Sequence, residues 1–234
     1  MALKAIVFID GSWLYRSRST VFAKLGEENF EVDYARLPRI LSETLANAID
    51  EDVSLVRTMY FGTIPSSRSS FNTSKQRAFY DFLEKSCHYD TEIHEVDVGH
   101  AEGRSDDMWI PMALASSMLF SAAMPSAYDV AILVSDDLAY APALRCVRRM
   151  GKRVQVVSIH DTDGGLPLPG TSLVGKVRVS DFDPIFLDDH AAELKLVREM
   201  RTRICKQCGR EEETTWAGPD FFCSECRGKH HRRD

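Results

Sequence analysis

The sequence contains no hydrophobic run long enough to cross a membrane. Its most apolar segment, residues 111–125, is interrupted by serines and is shorter than the ~20 residues that a transmembrane helix requires. The first apolar run ends at Asp10, so neither the hydrophobic segment nor the cleavage site of a secretory signal peptide is present. We therefore expect a soluble, cytoplasmic protein with no membrane partner.

Most of the chain has few cysteines and no excess of basic side chains. Before Arg201 there are two cysteines, Cys87 and Cys146. From Arg201 onward there are eight basic and six acidic residues, and since the whole chain has a net charge of −6, the preceding 200 residues carry −8. Such an acidic body excludes a protein that coats DNA through a broad basic surface. It leaves room for a local nucleic-acid groove, or for carboxylates that bind cations.

Apolar segments typical of buried strands alternate along the chain with segments of helical periodicity. Hydrophobic residues make up 44% of the chain, which is enough for a core. The alternation predicts an α/β fold, a three-layer sandwich around a mostly parallel sheet. The predicted strands cover residues 3–9, 53–61, 91–98, 130–134 and 154–159, with a short one near 177–179; the predicted helices cover 33–49, 75–87, 105–122, 138–150 and 188–200, with another that begins at Ser12.

Acidic residues follow two of the predicted strands and open one of the helices. Asp10 ends the first strand, Asp136 and Asp137 follow the strand at 130–134, and Asp106 and Asp107 begin a helix. In an open parallel sheet, ligands collect outside the carboxyl ends of the strands. Acids that meet there repel one another, and a hard cation such as Mg²⁺ or Mn²⁺ relieves the repulsion. Such a metal activates water and stabilises charge on a phosphate. Turn formation or helix capping is the alternative role for each aspartate.

Four segments also carry a resemblance to a known family. Residues 7–12 (VFIDGS) resemble the first motif of the NYN domains, PIN-like nucleases of the LabA type. Residues 60–62 (YFG) are similar to the aromatic-glycine pattern of these domains, and residues 103–106 (GRSD) stand where the family has Lys-Gly-Val-Asp. Residues 133–156 resemble the segment that begins SGDSDF in the family. The resemblance extends from residue 3 to about residue 185.

The resemblance implies a fold, an activity and a set of ligands. It implies a PIN-like sandwich and a metal-dependent ribonuclease that hydrolyses phosphodiester bonds of RNA, with single-stranded RNA as the expected partner. The family's acidic cluster falls on Asp10, Asp106 and Asp137, which would hold catalytic Mg²⁺ or Mn²⁺. Asp136 and Asp107 are additional carboxylates that would assist. Water activated by the metal would be the nucleophile, without a covalent enzyme intermediate.

Three positions differ from the family pattern. Trp13 replaces the usual asparagine, Ala139 replaces the second aspartate of the SGDSD motif, and Met112 replaces an acid that is often found there. These differences favour an alternative: a catalytically weakened adaptor that keeps the fold and binds RNA or protein. The presence of Asp10, Asp106 and Asp137 favours the enzyme.

Other polar residues near the acids are candidates for substrate binding. Ser12 and Ser135 neighbour the acidic strand ends, where each hydroxyl would bind a phosphate or cap a turn. Arg16, Arg18 and Arg68 are candidates for contact with an RNA backbone, and a solvated loop is the alternative. A homo-oligomer is compatible with the sequence.

The end of the chain contains a metal-ligand pattern of high specificity. Cys205 and Cys208 form one CxxC pair, and Cys223 and Cys226 form a second pair after 14 intervening residues. Four thiolates suit tetrahedral Zn²⁺, and a site closed by four protein ligands is structural. A redox dithiol or a disulfide is the alternative.

The sequence thus predicts three parts: a PIN-like NYN domain over 1–187, a connecting helix over 188–202, and a zinc ribbon with a basic tail over 203–234. In the zinc ribbon, Trp216, Phe221 and Phe222 would either stack on unpaired bases or fill the core of the ribbon. We expect this module to dock on nucleic acid or on a protein partner.

Overall fold

Parallel strands form a central sheet in the computed structural model. In the part of the chain that the structure describes, the sheet has six strands in the order β3-β2-β1-β4-β5-β6, and every neighbouring pair is parallel. This confirms the predicted α/β class. The strands are β1 (Leu3–Asp10), β2 (Val53–Pro65), β3 (Asp90–Val96), β4 (Val130–Val134), β5 (Arg153–Ser158) and β6 (Ile185–Phe186). The described residues are 2–23, 31–66, 72–96, 109–160, 172–174, 179–197, 200–215, 218 and 220–230.

Helices cover both faces of the sheet. Because side chains alternate along a strand, Val7 and Ile9 of β1 pack in one apolar cluster, with residues of α1, α2, α3 and α6. Ile6 and Phe8 pack in a second cluster with residues of α4 and α5. The fold therefore has the three predicted layers. The helices are α1 (Gly11–Ala23), α2 (Leu37–Ile49), α3 (Ser74–Lys85), α4 (Trp109–Ala123), α5 (Ala141–Arg149) and α6 (Ala191–Leu194), with short 3-10 helices at Leu138–Tyr140 and Leu187–His190.

The strand order reverses between β1 and β4. The chain leaves β1 towards β2 and β3, and it then returns to place β4 on the other side of β1. The register pairs Ile9 of β1 with Val134 of β4, so the residues that follow these two positions emerge side by side. The crevice outside the carboxyl ends at such a reversal is where open α/β sheets bind ligands.

The segment after β5 differs most from the sequence prediction. The strand β6 was not predicted, because its two residues are too short a run to show a periodic pattern. The predicted helix over 188–200 is wrong at residues 195–197 and 200, which are not helical, because α6 ends at Leu194. There the carbonyl of Leu194 accepts a hydrogen bond from the backbone N–H of Asp33 at 2.7 Å, and Lys195 pairs with Val32 in an isolated bridge. This bridge redirects the backbone out of the helix. The predicted helix start near Ser105 and most of the strand at 177–179 lie outside the described residues.

The chain divides into two compact units, residues 1–195 and 196–234. The first unit contains the six-stranded sheet. In the second unit, β7 (Arg201–Ile204) pairs antiparallel with β8 (Glu211–Thr214), and α7 (Ser224–His230) follows. Among the described residues, none of the helices combines the length and the apolar character that crossing a lipid bilayer requires.

A buried tyrosine pair makes the stability of the first unit sensitive to alkaline pH. The hydroxyl of Tyr89 donates a hydrogen bond to the carbonyl oxygen of Tyr34 at 2.5 Å. Burial raises the pKa of Tyr89 and also that of Tyr34. An unfolded tyrosine ionises near about pH 10, whereas the folded chain keeps both groups neutral. Their contribution to stability is therefore fully present below about pH 10 and is lost as the pH rises further.

The variant Tyr89→Phe tests this argument. At pH 7 we expect the free energy of unfolding to fall by about 1 kcal/mol, because one buried hydrogen bond is lost. Between pH 9 and 11 the variant should lose less stability than the wild type, since one buried ionisable group has been removed. Urea denaturation followed by circular dichroism measures both effects. Tyr15→Phe, which alters an exposed ring, is the control; an alkaline slope in Tyr89→Phe equal to that of the wild type would contradict the prediction.

Candidate acidic site and cysteine cluster

Asp10 is a buried carboxylate at the end of the central strand. Its side chain is 3% exposed. One oxygen, Oδ1, accepts a hydrogen bond from the backbone N–H of Trp13 at 2.9 Å, and Oδ2 accepts one from the hydroxyl of Tyr140 at 2.8 Å. Burial raises the pKa of Asp10, and the two hydrogen bonds and the charge of Arg16 partly oppose this shift. The carboxylate is thus held in one orientation in surroundings that disfavour its charge.

Tyr140 connects the ends of β1 and β4. It belongs to the 3-10 helix that follows β4, it is 1% exposed, and its hydroxyl reaches Asp10 across 130 positions of sequence. Sequence reasoning did not assign Tyr140 a role. It fits the apolar pattern of the segment, and the identity of the acceptor depends on the tertiary fold alone.

Asp137 lies close enough to Asp10 to interact with it electrostatically. Its charge adds to the effect of burial and raises the pKa of Asp10 and of Tyr140. Asp137 is partly exposed, and its Oδ1 accepts the backbone N–H of Ala139 at 2.8 Å, which caps the 3-10 helix. The structure therefore brings Asp10 and Asp137 to the same end of the sheet, and it also shows the capping role that was the alternative for Asp137.

Asp136 holds the neighbouring loop. Its Oδ2 accepts a hydrogen bond from the hydroxyl of Ser172 at 2.5 Å, and its Oδ1 accepts the backbone N–H groups of Leu173 and Val174 at 2.7 and 3.2 Å. Both oxygens are thus engaged in fastening residues 172–174 to the end of β4. This gives Asp136 a structural role; its predicted assistance to a catalytic metal stays a prediction.

The predicted substrate-binding residues have different surroundings. Ser135 is fully buried, and its hydroxyl oxygen accepts the backbone N–H of Asp137 at 3.3 Å, as expected of a turn cap. Ser12 is partly exposed at the second position of α1, and Arg16 is exposed on the same helix. Arg68 lies outside the described residues, as do the predicted ligands Asp106 and Asp107.

The glycine after Asp10 is required by close packing against β2. A Cβ atom at Gly11 would lie 2.6 Å from the carbonyl oxygen of Phe61 and closer still to the ring and hydroxyl of Tyr60. Because Gly11 has no side chain, the first turn of α1 can begin directly at the strand end. The position of this first turn also fixes the backbone N–H of Trp13, which donates a hydrogen bond to Asp10.

The model of the NYN domain family matches residues 4–167, which include β1 to β5 and the acidic strand ends. The chain belongs to the NYN domain family. NYN domains are typically RNA-binding nucleases with a PIN-like fold, so the resemblance of the four segments is confirmed at the level of family and fold. No curated protein matches the chain. The four cysteines near its end lie outside the matched range.

Beyond the NYN domain, the four cysteine side chains converge. The sulfur atoms of Cys205, Cys208, Cys223 and Cys226 all lie within 4.8 Å of one another. The first pair occupies the turn between β7 and β8, and the second pair lies at the start of α7. Phe221 is buried with three of these cysteines, so this aromatic residue fills the core of the module. Trp216 lies outside the described residues.

The donor set of this cluster suits zinc. Hydrogen bonds from backbone N–H groups, chiefly that of Cys223, lower the pKa of Cys205 to about 6. The hydrogen bond to the Cys223 sulfur raises the pKa of Cys226 to about 12. Four thiolates at this spacing repel one another, and a tetrahedral cation that prefers sulfur compensates their charge. The predicted zinc site is consistent with this geometry.

A second group of ligand-type side chains lies beyond β5 and β6. Asp188 Oδ2 lies 2.9 Å from His160 Nδ1, and Asp188 Oδ1 accepts the backbone N–H of His160 at 3.1 Å. Asp189 Oδ1 is 3.8 Å from the same ring nitrogen. The ring of His160 also stacks on Phe186, with the ring centroids 3.8 Å apart. These contacts orient the histidine ring, and they explain why the three side chains lie together without requiring a metal ion.

Gly11→Ala tests the packing beside Asp10. The new methyl group would meet the main chain of Phe61, which cannot rotate away, so we expect a loss of about 1–3 kcal/mol in the free energy of unfolding. Gly62→Ala is the comparison, because the three atoms nearest its Cβ would be side-chain atoms at 3.0–3.2 Å, a milder contact that does not involve the main chain. Urea denaturation should show a smaller loss for Gly62→Ala. Equal losses would argue against the importance of the backbone contact.

Metal analysis tests the cysteine cluster. Protein purified without chelator should contain a single zinc ion per chain, since four thiolates complete a tetrahedral site. Cys223→Ser should lose the zinc and the fold of residues 196–234, because so small a unit depends on its metal for stability. Cys146→Ser, which alters an exposed cysteine, should keep the zinc. Wild-type protein without zinc would remove the assignment.

Proposed function

We propose that this NYN domain is a metal-dependent ribonuclease whose active site lies at the carboxyl ends of β1 and β4. The observation that carries the proposal is the strand register: Ile9 of β1 pairs with Val134 of β4 at the reversal of the strand order, so that Asp10 and Asp137, 127 positions apart in the sequence, follow neighbouring strand ends. RNA is the proposed substrate because NYN domains typically bind and cleave it.

The two carboxylates suit a hard divalent cation. Asp10 is buried, and the negative charge of Asp137 acts on it. A cation bound by both carboxylates would offset the desolvation of Asp10 and the repulsion between the two acids. Carboxylate oxygens are the preferred ligands of Mg²⁺ and Mn²⁺. Asp106, at the family's third acidic position, is proposed as a further ligand. When bound, the metal would supply an activated water and stabilise the charge that develops on the phosphate.

The side chains around Asp10 would keep the acid in position. The backbone N–H of Trp13 and the hydroxyl of Tyr140 each donate a hydrogen bond to one oxygen of Asp10. Because its orientation is already fixed, the carboxylate would lose little conformational entropy on binding a metal ion. Arg16 carries a positive charge beside Asp10, where it would attract the phosphate backbone of RNA. These roles require no covalent bond between protein and substrate.

The alternative function is that of an adaptor that binds RNA or protein without cleavage. The observation that favours it is Ala139, which replaces the second aspartate of the family's SGDSD motif and contributes only a backbone N–H to Asp137. A site with fewer acids binds metal less tightly. In either case, the zinc module is proposed to dock on RNA or on a protein partner. We also propose that the protein acts in the cytoplasm, with homo-oligomers as one of its states.

A cleavage assay distinguishes the two functions. Incubated with Mn²⁺ or Mg²⁺, the full chain should cleave a fluorescently labelled single-stranded RNA. Asp10→Asn and Asp137→Asn should lower the rate at least about 100-fold, because even residues that only support a metal ligand cost 10–100-fold. Asp81→Asn is the matched control. It changes an exposed carboxylate on α3 that binds Lys85, and its rate should stay within twofold of the wild type.

Two results would overturn the nuclease. The first is wild-type cleavage no faster than that of Asp10→Asn with every divalent metal tested; if RNA still binds, the adaptor function is then supported. The second is full activity in both Asp10→Asn and Asp137→Asn, which would place the cleavage in a contaminant or at another site.

A further inference from the structure

The helix that follows Asp10 presents a solvent-exposed face beside the acidic site. In α1, Leu14, Ser17 and Val21 are buried against the domain. Tyr15, Arg16, Arg18 and Ser19 are exposed. The exposed side of α1 therefore combines one aromatic ring with two guanidinium groups, in a body whose overall charge is negative.

Tyr15 and Arg18 form a pair on this face. The ring of Tyr15 is 61% exposed, and the guanidinium carbon of Arg18 lies over it, 4.1 Å from its centroid. A cation in this position is attracted by the face of the ring and limits its rotation. With Arg18 over one face, a planar ligand that stacks on the ring would use the opposite face.

The Tyr15–Arg18 pair is a candidate ligand-binding feature because it lies close to Asp10. Single exposed aromatic residues are common on protein surfaces, so exposure alone indicates nothing. However, helical side chains lean towards the helix N-terminus, and Tyr15 therefore lies over the turn that starts at Gly11, directly after Asp10. Its neighbour Arg16 is close enough to lower the pKa of Asp10. A phosphate at the acidic site would thus have a positive charge and an aromatic ring on the same side.

We propose that Tyr15, supported by Arg18, stacks on an unpaired base of the RNA strand whose phosphate occupies the acidic site. The choice of RNA rests on the proposed function. Aromatic and guanidinium planes are the groups with which proteins bind unpaired bases. Bases within a duplex are already stacked and paired, so the platform selects single strands over duplexes, and Tyr15 becomes a residue that determines substrate class.

Binding measurements on the full, zinc-loaded chain test the proposal. Asp10→Asn is the background, so that the RNA is not cleaved, and the probe is a 12-nucleotide fluorescein-labelled oligouridylate followed by fluorescence anisotropy. Adding Tyr15→Ala should raise Kd about fivefold or more, the effect of removing one stacked base contact. Tyr15→Trp should keep Kd within twofold, since it keeps an aromatic face.

The matched control removes an equally exposed ring from the opposite face of the sheet. Phe120 of α4 is 65% exposed, and α4 packs in the apolar cluster on the other side from α1. Phe120→Ala should leave Kd within twofold of the background. Circular dichroism and thermal melting of every variant verify that the fold is intact.

Two further probes identify stacking as the cause. With an abasic oligomer of the same length, Tyr15→Ala and its parent should bind equally, because no base is present to stack. With a duplex of the same length, Tyr15→Ala should again have no effect. An equal loss of affinity for the abasic oligomer or the duplex would overturn the proposal, as would a Tyr15→Ala effect no larger than that of Phe120→Ala, or the absence of any RNA binding.

These results are independent of cleavage. If the wild type cleaves RNA but Tyr15→Ala binds as the parent does, the platform is wrong and the nuclease stands. If the wild type does not cleave but Tyr15→Ala weakens binding of single strands alone, the platform stands and the nuclease is wrong.

Discussion

The buried hydrogen bond between Tyr140 and Asp10 joins the two strand ends on which the acidic site depends. β1 and β4 are neighbours in the sheet, but their ends leave in different directions, one into α1 and the other into a 3-10 helix. The 2.8 Å hydrogen bond connects the residue at the end of β1 with the 3-10 helix that follows β4. A bond of this kind is worth more in a dry interior than at the surface, and both of its partners are almost fully buried.

The same burial explains the electrostatic character of the site. Desolvation disfavours the charge on Asp10, and Asp137 adds repulsion to it, so the fold stores an unfavourable interaction at the carboxyl edge of the sheet. Such strain persists because the surrounding core is extensive. In the proposed nuclease, this unfavourable interaction would favour cation binding, because a bound cation would offset the charges of the two acids. Both carboxylates are hydrogen-bonded at both oxygens, but Asp10 accepts two hydrogen bonds, whereas Asp136 accepts three, all from residues 172–174.

Elements with a clear hydrophobic pattern were predictable, whereas elements decided by contacts with distant parts of the chain were not. The bounds of β4 were predicted to the residue, because a strand buried on both faces is a continuous apolar run. By contrast, β6 has two residues, and α6 stops at Leu194 although helical periodicity continues. In both cases the deciding contacts come from distant parts of the chain. The pairing of Lys195 with Val32 is one of them.

Sequence by itself determined the bounds of β4, the acids that follow β1 and β4, and the grouping of the cysteines into two CxxC pairs, because each is a local pattern of residue types. It did not determine the end of β2, which was predicted at residue 61 and lies at Pro65. Only the tertiary structure decided which acids are neighbours, which are bonded within the protein, and that Tyr140 is the partner of Asp10. The reason is physical: burial and Coulomb interactions depend on distance in space, and residues 130 positions apart acquire a distance only when the sheet has formed.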